Sequence, residues 1–210
     1  AVGANVQHLA PGDRVINLGR DNWCQRRKVP AAQALKMPAD ADLLQLAMLK
    51  VNPATALLML RSYVDLQPGD WVIQDAANSG VGTNLIRLAK TDGIRTVNVV
   101  RREALIEPLT AIGAAAVVVD GDDLAARVQQ ATVGAPIRLA IDAIGGAMVL
   151  RLADCLAEGG TVVNYGLLSG EPCQLGPPHA IFQSITLTGF WRQKALTSMP
   201  RQDLEGLYAD

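Results

Sequence analysis

The feature that most restricts the fold is the segment Gln74-Asp75-Ala76-Ala77-Asn78-Ser79-Gly80-Val81-Gly82, read with its flanks. An apolar run, Trp71 to Ala76, leads into it after the turn Gln67-Pro68-Gly69-Asp70. Val81, Leu85, Ile86, Leu88 and Ala89 then recur at helical spacing, and Gly93 stands where a helix C′ residue belongs. Thr96 to Val100 is a second apolar run. Strand, tight turn, helix and strand in so short a span point to a parallel βαβ unit with a right-handed crossover.

The alternation continues. Ala116 to Val119, Leu139 to Asp142, Thr161 to Tyr165 and Ile185 to Phe190 read as further strands. Between them the pattern predicts three helices: Leu105 to Ile112, one capped by Asp122 or Asp123 that runs to Gly134, and one opened by Gly145-Gly146 that ends at Gly159-Gly160. A last helix begins near Arg201, and the chain is expected to stop inside it. Strands this apolar are covered on both faces, which predicts an α/β fold: a doubly wound parallel Rossmann sheet of about six strands over residues 46–210. The ligand crevice of such a sheet lies at the carboxyl ends of its strands. Upstream, Asp42 to Leu60 reads as two helices, the second starting at Pro53. Residues 1–45 differ in texture. Pro11-Gly12-Asp13 turns into a short strand at Val15-Ile16, a polar stretch from Arg20 to Lys28 follows, and the whole resembles the end of a β-rich unit.

Composition removes several classes of function. Half of the 210 residues are hydrophobic, so a sizeable core can be buried. A net charge of −1 argues against a nucleic-acid or membrane-surface partner, and no apolar run reaches the ~18 residues of a membrane span. Cys24, Cys155 and Cys173 are odd in number and widely spaced, which speaks for reduced thiols and against a disulfide framework or a four-cysteine zinc site. The N-terminal residues carry no basic, apolar leader pattern. The expected compartment is therefore cytoplasmic, or the mitochondrial matrix if the source is eukaryotic. Neither His8 nor His179 stands at metal-ligand spacing from a Cys or Glu, so no metal is expected.

The chemistry resides in the turn. In the dinucleotide fingerprint G-x-G-x-x-G, small residues let backbone N–H groups approach a pyrophosphate at the positive end of a helix. Residues 77–82 occupy the six positions, with Ala77 and Ser79 in place of two glycines. The alternative is a merely structural glycine turn. An NAD site calls for an acid about 20 residues further on, to hold the ribose 2′-OH. Here Arg101 and Arg102 stand at that point. A guanidinium pairs with a 2′-phosphate, which predicts NADP(H); the competing reading is a solvated arginine pair. Asp142 reads as a loop-capping acid, and Phe190 and Trp191 as core or as a pocket wall.

Val51-Asn52-Pro53-Ala54-Thr55-Ala56, Leu66-Gln67-Pro68-Gly69-Asp70, Asn78-Ser79-Gly80-Val81-Gly82, Val99-Val100-Arg101, Tyr165-Gly166 and Gly189-Phe190-Trp191 together resemble the zinc-free medium-chain dehydrogenase/reductase superfamily. Within it they are most similar to the 2-enoyl thioester reductases. The resemblance implies a GroES-like catalytic domain, of which residues 1–45 would be the end, followed by the Rossmann domain. It implies NADPH-dependent reduction of the C2=C3 bond of an enoyl-CoA or enoyl-acyl-carrier-protein in fatty acid synthesis. Hydride would go to C3, and protonation would be assisted by a tyrosine expected upstream of Ala1. It also implies a homodimer paired through the Rossmann sheet edge. By matching motif, Asn52 would contact the reacting end of the cofactor, and Asn78, Ser79, Gly80 and Val81 the pyrophosphate. Arg101 and Arg102 would bind the 2′-phosphate, and Tyr165, Gly166, Leu167 and Leu168 would lie along the nicotinamide. Phe190, Trp191, Arg192 and Gln193 would line the cofactor and acyl pocket. Glu103 and Leu167 depart from the family's usual pattern. An NADPH:quinone oxidoreductase of the same superfamily and a non-catalytic nucleotide-binding fragment remain as alternatives.

Overall fold

The computed structural model describes residues 1–20 and 22–208. The chain divides into two compact units, Thr55–Gln193 and Ala1–Ala54 with Lys194–Asp210. The sequence pattern drew its boundary at 45/46 and kept the C-terminal stretch with the sheet; in the structure that stretch groups with the N-terminal residues.

The larger unit is a six-stranded parallel sheet of β3 (Trp71–Gln74), β4 (Arg95–Val100), β5 (Ala116–Val119), β6 (Ile137–Asp142), β7 (Thr161–Asn164) and β8 (Thr186–Gly189). The strands lie in the order β5-β4-β3-β6-β7-β8. The chain thus winds outward from β3 to β5, returns to the centre, and winds outward again from β6, so β3 and β6 flank the point where the order reverses. Side chains alternate between two cores. Ile73, Ala140 and Val162 pack on one face with α5 (Leu124–Thr132) and α6 (Met148–Ala153). Val72, Leu139, Ile141 and Val163 pack on the other with α2 (Asn52–Ser62) and α3 (Gly80–Thr91). This period-two split is why the strands read as unbroken apolar runs. A buried polar stitch crosses the sheet: Gln74 Nε2 donates to Asn98 Oδ1 at 2.7 Å and to the Gly82 carbonyl at 3.0 Å, and Asn98 Nδ2 donates to the Ala116 carbonyl at 2.9 Å.

Local chemistry sets the ends of the elements. Asp92 and Gly93 close α3, with Gly93 at a φ of +71°. Pro108 sits in the first turn of α4 (Ile106–Ala111), where its missing N–H leaves no helical bond unmade. The helix expected to open at Gly145-Gly146 does not do so. Both glycines take left-handed φ values, +74° and +58°, and the helix runs only over Met148–Ala153. The Asp142 carboxylate accepts the Ile144 and Gly145 amides and fixes a loop there instead. Two short helices escaped the sequence pattern, α7 (Pro177–Phe182) and α8 (Arg192–Thr197).

In the smaller unit, β1 (Val15–Asn17) pairs antiparallel with β2 (Ala34–Lys36). Leu35, Met37, Ala54 and Tyr208 form its core. The Arg201 guanidinium at the start of α9 (Arg201–Leu207) donates to the Ala32 and Ala34 carbonyls at 2.9 and 3.0 Å, which ties the C-terminal segment to the N-terminal one. α1 (Leu43–Leu49) is capped by the Asp42 carboxylate, which accepts the Gln45 amide.

Candidate functional site

Leaving β3, the chain takes a left-handed step at Ala76, with a φ of +42°, and the Ser79 amide closes a turn onto the Ala76 carbonyl at 2.8 Å. Ser79 is the N-cap of α3: its backbone is extended, and its Oγ accepts the Gly82 amide at 3.1 Å. The amides of Gly80 and Val81, in the first turn, have no intrahelical acceptor and carry the positive end of the helix. A Cβ on Gly82 would stand 2.4 Å from the Ala77 carbonyl oxygen, so only glycine lets the helix lie this close to the strand end. Ala77 and Ser79 therefore fill the first two glycine places without spoiling the turn, and Gly82 keeps the place where a side chain has no room.

A cavity of about 490 Å³ opens beside this loop. Asp75, Ala76, Asn78 and Ser79 line it from the first loop. Val99, Val100 and Arg101 line it from the end of β4, and Ile144, Met148, Leu168 and Ser169 from beyond β6 and β7. Asp120 is also in the lining, but Arg151 of α6 grips both of its oxygens at 2.9 and 2.8 Å, which satisfies its charge. Arg101 is exposed and free to meet an anion at the cavity mouth. Arg102 leads into the short 3-10 turn Glu103–Leu105, outside this lining.

The other expected contacts are spread more widely. Tyr165 is mostly buried; burial first pushes its phenol up to about 12, a hydrogen bond with Ser79 works the other way, and the Asp75 and Asp142 charges add to the rise. A Cβ on Gly166 would meet the Ala143 carbonyl oxygen at 2.4 Å, so the chain after β7 crosses the chain after β6 in backbone contact. Leu167 and Leu168 are exposed, and of the two only Leu168 lines the cavity. Phe190 donates its amide to the Asn164 carbonyl at 2.8 Å and packs on the core, whereas Trp191 is 65% exposed. Arg192 opens α8, with Nη1 buried and unbonded, and Gln193 ends the larger unit. The Phe190–Gln193 stretch, Tyr165, Gly166, Gly80 and Val81 lie outside the cavity lining itself. Asn52 is the first residue of α2 and belongs to the smaller unit.

Sequence reasoning missed Asp75. It is 1% exposed, and burial, followed by a hydrogen bond with Asp142 and that residue's charge, raises it to about 9. The available signal was an acid at the end of an apolar strand, directly before the turn. Asp142 is a loop cap, as expected: it accepts from Ile144 N at 3.1 Å, Gly145 N at 2.9 Å and Asn164 Nδ2 at 2.5 Å.

The elements suit a dinucleotide. Unpaired amides stand at a helix N-terminus, a backbone approach excludes any Cβ, and a guanidinium stands one strand away. Among the described residues no three His, Cys, Asp or Glu side chains gather at one point. The human mitochondrial enoyl-[acyl-carrier-protein] reductase is 38% identical over 198 residues, 91% of this chain and 53% of that protein. The chain thus spans about half the length of this relative. The solved Etr1p/NADP/crotonyl-CoA complex superposes with a TM-score of 0.84 at 26% identity, covering 99% of this chain and 63% of that one. The Escherichia coli quinone oxidoreductase complexed with NADPH superposes with a TM-score of 0.87 at 25% identity, covering 99% and 64%. The family model described as zinc-binding dehydrogenase matches residues 80–208. That match runs from α3 through α9, more than half of the chain, and so the chain belongs to the zinc-binding dehydrogenase family of the medium-chain dehydrogenase/reductase superfamily.

Proposed function

We propose that the protein reduces the C2=C3 double bond of 2-enoyl thioesters with NADPH, and that residues 75–101 hold the adenosine diphosphate half of the cofactor. The observation that carries the cofactor is the meeting of the capped turn at Ser79 and the exposed Arg101 in one cavity. The amides of Gly80 and Val81, with Asn78 and Ser79, face the pyrophosphate, and the N-terminus of α3 adds its partial charge. Arg101 pairs with the 2′-phosphate, with Arg102 as a second cation nearby. Tyr165 to Leu168 flank the nicotinamide half, Asn52 contacts the reacting end, and the Phe190–Gln193 stretch serves the acyl side. When bound, NADPH supplies the hydride; the protein's task is to orient it and exclude water. The thioester as substrate is supported by likeness to an enoyl reductase and to Etr1p in its complex with NADP and crotonyl-CoA.

The smaller unit is read as part of a GroES-like catalytic domain. Two copies are proposed to pair along β8, the last strand of the sheet among the described residues. The compartment proposed is the cytoplasm, or the mitochondrial matrix in a eukaryote; the human relative is named mitochondrial. A quinone as acceptor is the second reading, favoured by the superposition on quinone oxidoreductase. Following NADPH oxidation by the full-length protein separates the readings. Turnover is expected with crotonyl-CoA and not with a benzoquinone. The reverse pattern establishes the quinone reading, and NADPH binding without turnover on either leaves a nucleotide-binding module.

A further inference from the structure

Two carboxyl groups meet under the nucleotide crevice, one from each strand at the reversal point. Asp75 leaves β3 and Asp142 ends β6. Both are buried, at 1% and 0% exposure. Their hydrogen bonds are unequal. Asp142 accepts N–H donors from Ile144, Gly145 and Asn164. Asp75 Oδ1 accepts from the Ala143 amide at 2.8 Å, and its Oδ2 is buried with no donor directed at it. A carboxylate that collects N–H donors is the ionised partner, and the buried oxygen that receives none carries the proton. Gln74 pairs with Ile141, so Asp75 and Asp142 are the next residues on neighbouring strands, and two such buried carboxyl groups avoid like charge by sharing one proton. The other titratable groups that feel this pair are Tyr165, after β7, and Cys173, in the loop before α7. Tyr165 is pushed up to about 12 and the Cys173 thiol is raised by burial first, so both stay neutral beside it at physiological pH.

We propose that Asp75 is kept as the carboxylic acid and donates its proton to the Asp142 carboxylate, a clasp between β3 and β6 that positions the turn 76–79 for the dinucleotide. The inference rests on the cofactor reading above. Asp75 opens the turn whose Ala76, Asn78 and Ser79 line the cavity, while Asp142 sets the loop that brings Ile144 to the same cavity. Losing the shared proton leaves two like charges buried side by side and drives these two walls apart. Asp75 is thus a positioning residue. Its stability consequence has a definite sign. Asp75 stays protonated in the folded protein well above the ordinary value of 3.8, so folding takes up a proton. Stability therefore falls as pH rises from about 4 towards 9 and levels off beyond that.

The test is NADPH affinity of the whole protein from pH 6 to about 10.5, by fluorescence titration, for the parent, Asp75→Asn, Asp75→Ala and Asp142→Asn. In the parent, affinity is expected to fall up to tenfold per pH unit above about 9. Asp75→Asn, a permanent neutral donor, is expected to lack the alkaline fall. Asp142→Asn removes the like charge and is expected to lack it too, so either amide variant carries the test if the other fails to fold. Asp75→Ala is expected to bind at least tenfold more weakly at every pH. A parent profile flat to pH 10.5, or the same fall in both amide variants, overturns the clasp and leaves the cofactor reading intact. A parent that binds no NADPH at pH 7 overturns the cofactor reading and the clasp with it.

Discussion

The two sides of the crevice are built differently. On the β3 side, the turn at 75–82 is made of backbone: a left-handed Ala76, an N-cap at Ser79, and a strand–helix approach at Gly82 too close for any side chain. On the β7–β8 side, the chain ends in large apolar side chains facing solvent, with Leu167 at 80%, Leu168 at 73% and Trp191 at 65% exposure. The first region is finished within its own residues. The second offers the apolar surface that an acyl chain or another protein face would cover. A phosphate can be bound by main-chain geometry that a sheet supplies for itself, whereas an apolar substrate has to be met by side chains that the fold leaves unspent.

Substitutions can break or sharpen this contrast. The largest effect is expected from Gly82→Val, which forces a Cβ into the Ala77 carbonyl and pries α3 from β3. It should cost about 3 kcal/mol or more, read as a lower denaturation midpoint with an unchanged m-value. Next comes Arg101→Asp. NADPH affinity should fall about 100-fold, in line with ~2–3 kcal/mol for a charge-assisted contact, while NADH affinity changes less than threefold; equal loss for both cofactors removes the 2′-phosphate role. Ser79→Ala removes the cap of α3 and should cost ~1 kcal/mol, seen as a fall in the thermal midpoint. Trp191→Ala is expected to be smallest on stability, within ~0.5 kcal/mol because the ring is exposed. It should raise the KM for an enoyl thioester while leaving NADPH affinity alone. A Trp191→Ala protein that loses cofactor affinity as severely as Arg101→Asp would erase the distinction between the two sides.

Much of this was legible in one dimension. The apolar runs at 71–76 and 139–142 read as strands because each feeds two cores at once, and the turn at 77–82 declared itself by small residues before an amphipathic helix. Asp142 read as a loop cap for the same local reason that it is one. What escaped depended on contacts far apart in sequence. Gly145-Gly146 looked like a helix start, but the Asp142 carboxylate captures the amides beside them and holds a left-handed turn. Arg101 and Arg102 are indistinguishable as letters, yet only Arg101 lines the cavity, because the chain swings into a 3-10 turn right after it. Asp75 was hidden for a similar reason: its partner comes from β6, which joins β3 only after β4 and β5 have been laid down on its other side.

That return of the chain has a consequence for synthesis. β3 lies between β4 and β6, and the crevice needs the carboxyl ends of both β3 and β6. A nascent chain with β3, α3, β4 and β5 already paired has only half of a binding cleft, however well formed its phosphate turn. The missing half arrives with residues 137–148 and then 168–169 as they leave the ribosome, and closing so long a loop comes late on the folding route. Until then an emerging polypeptide has no place to capture a nucleotide, and the ligand can reward only chains whose central strand has found both neighbours.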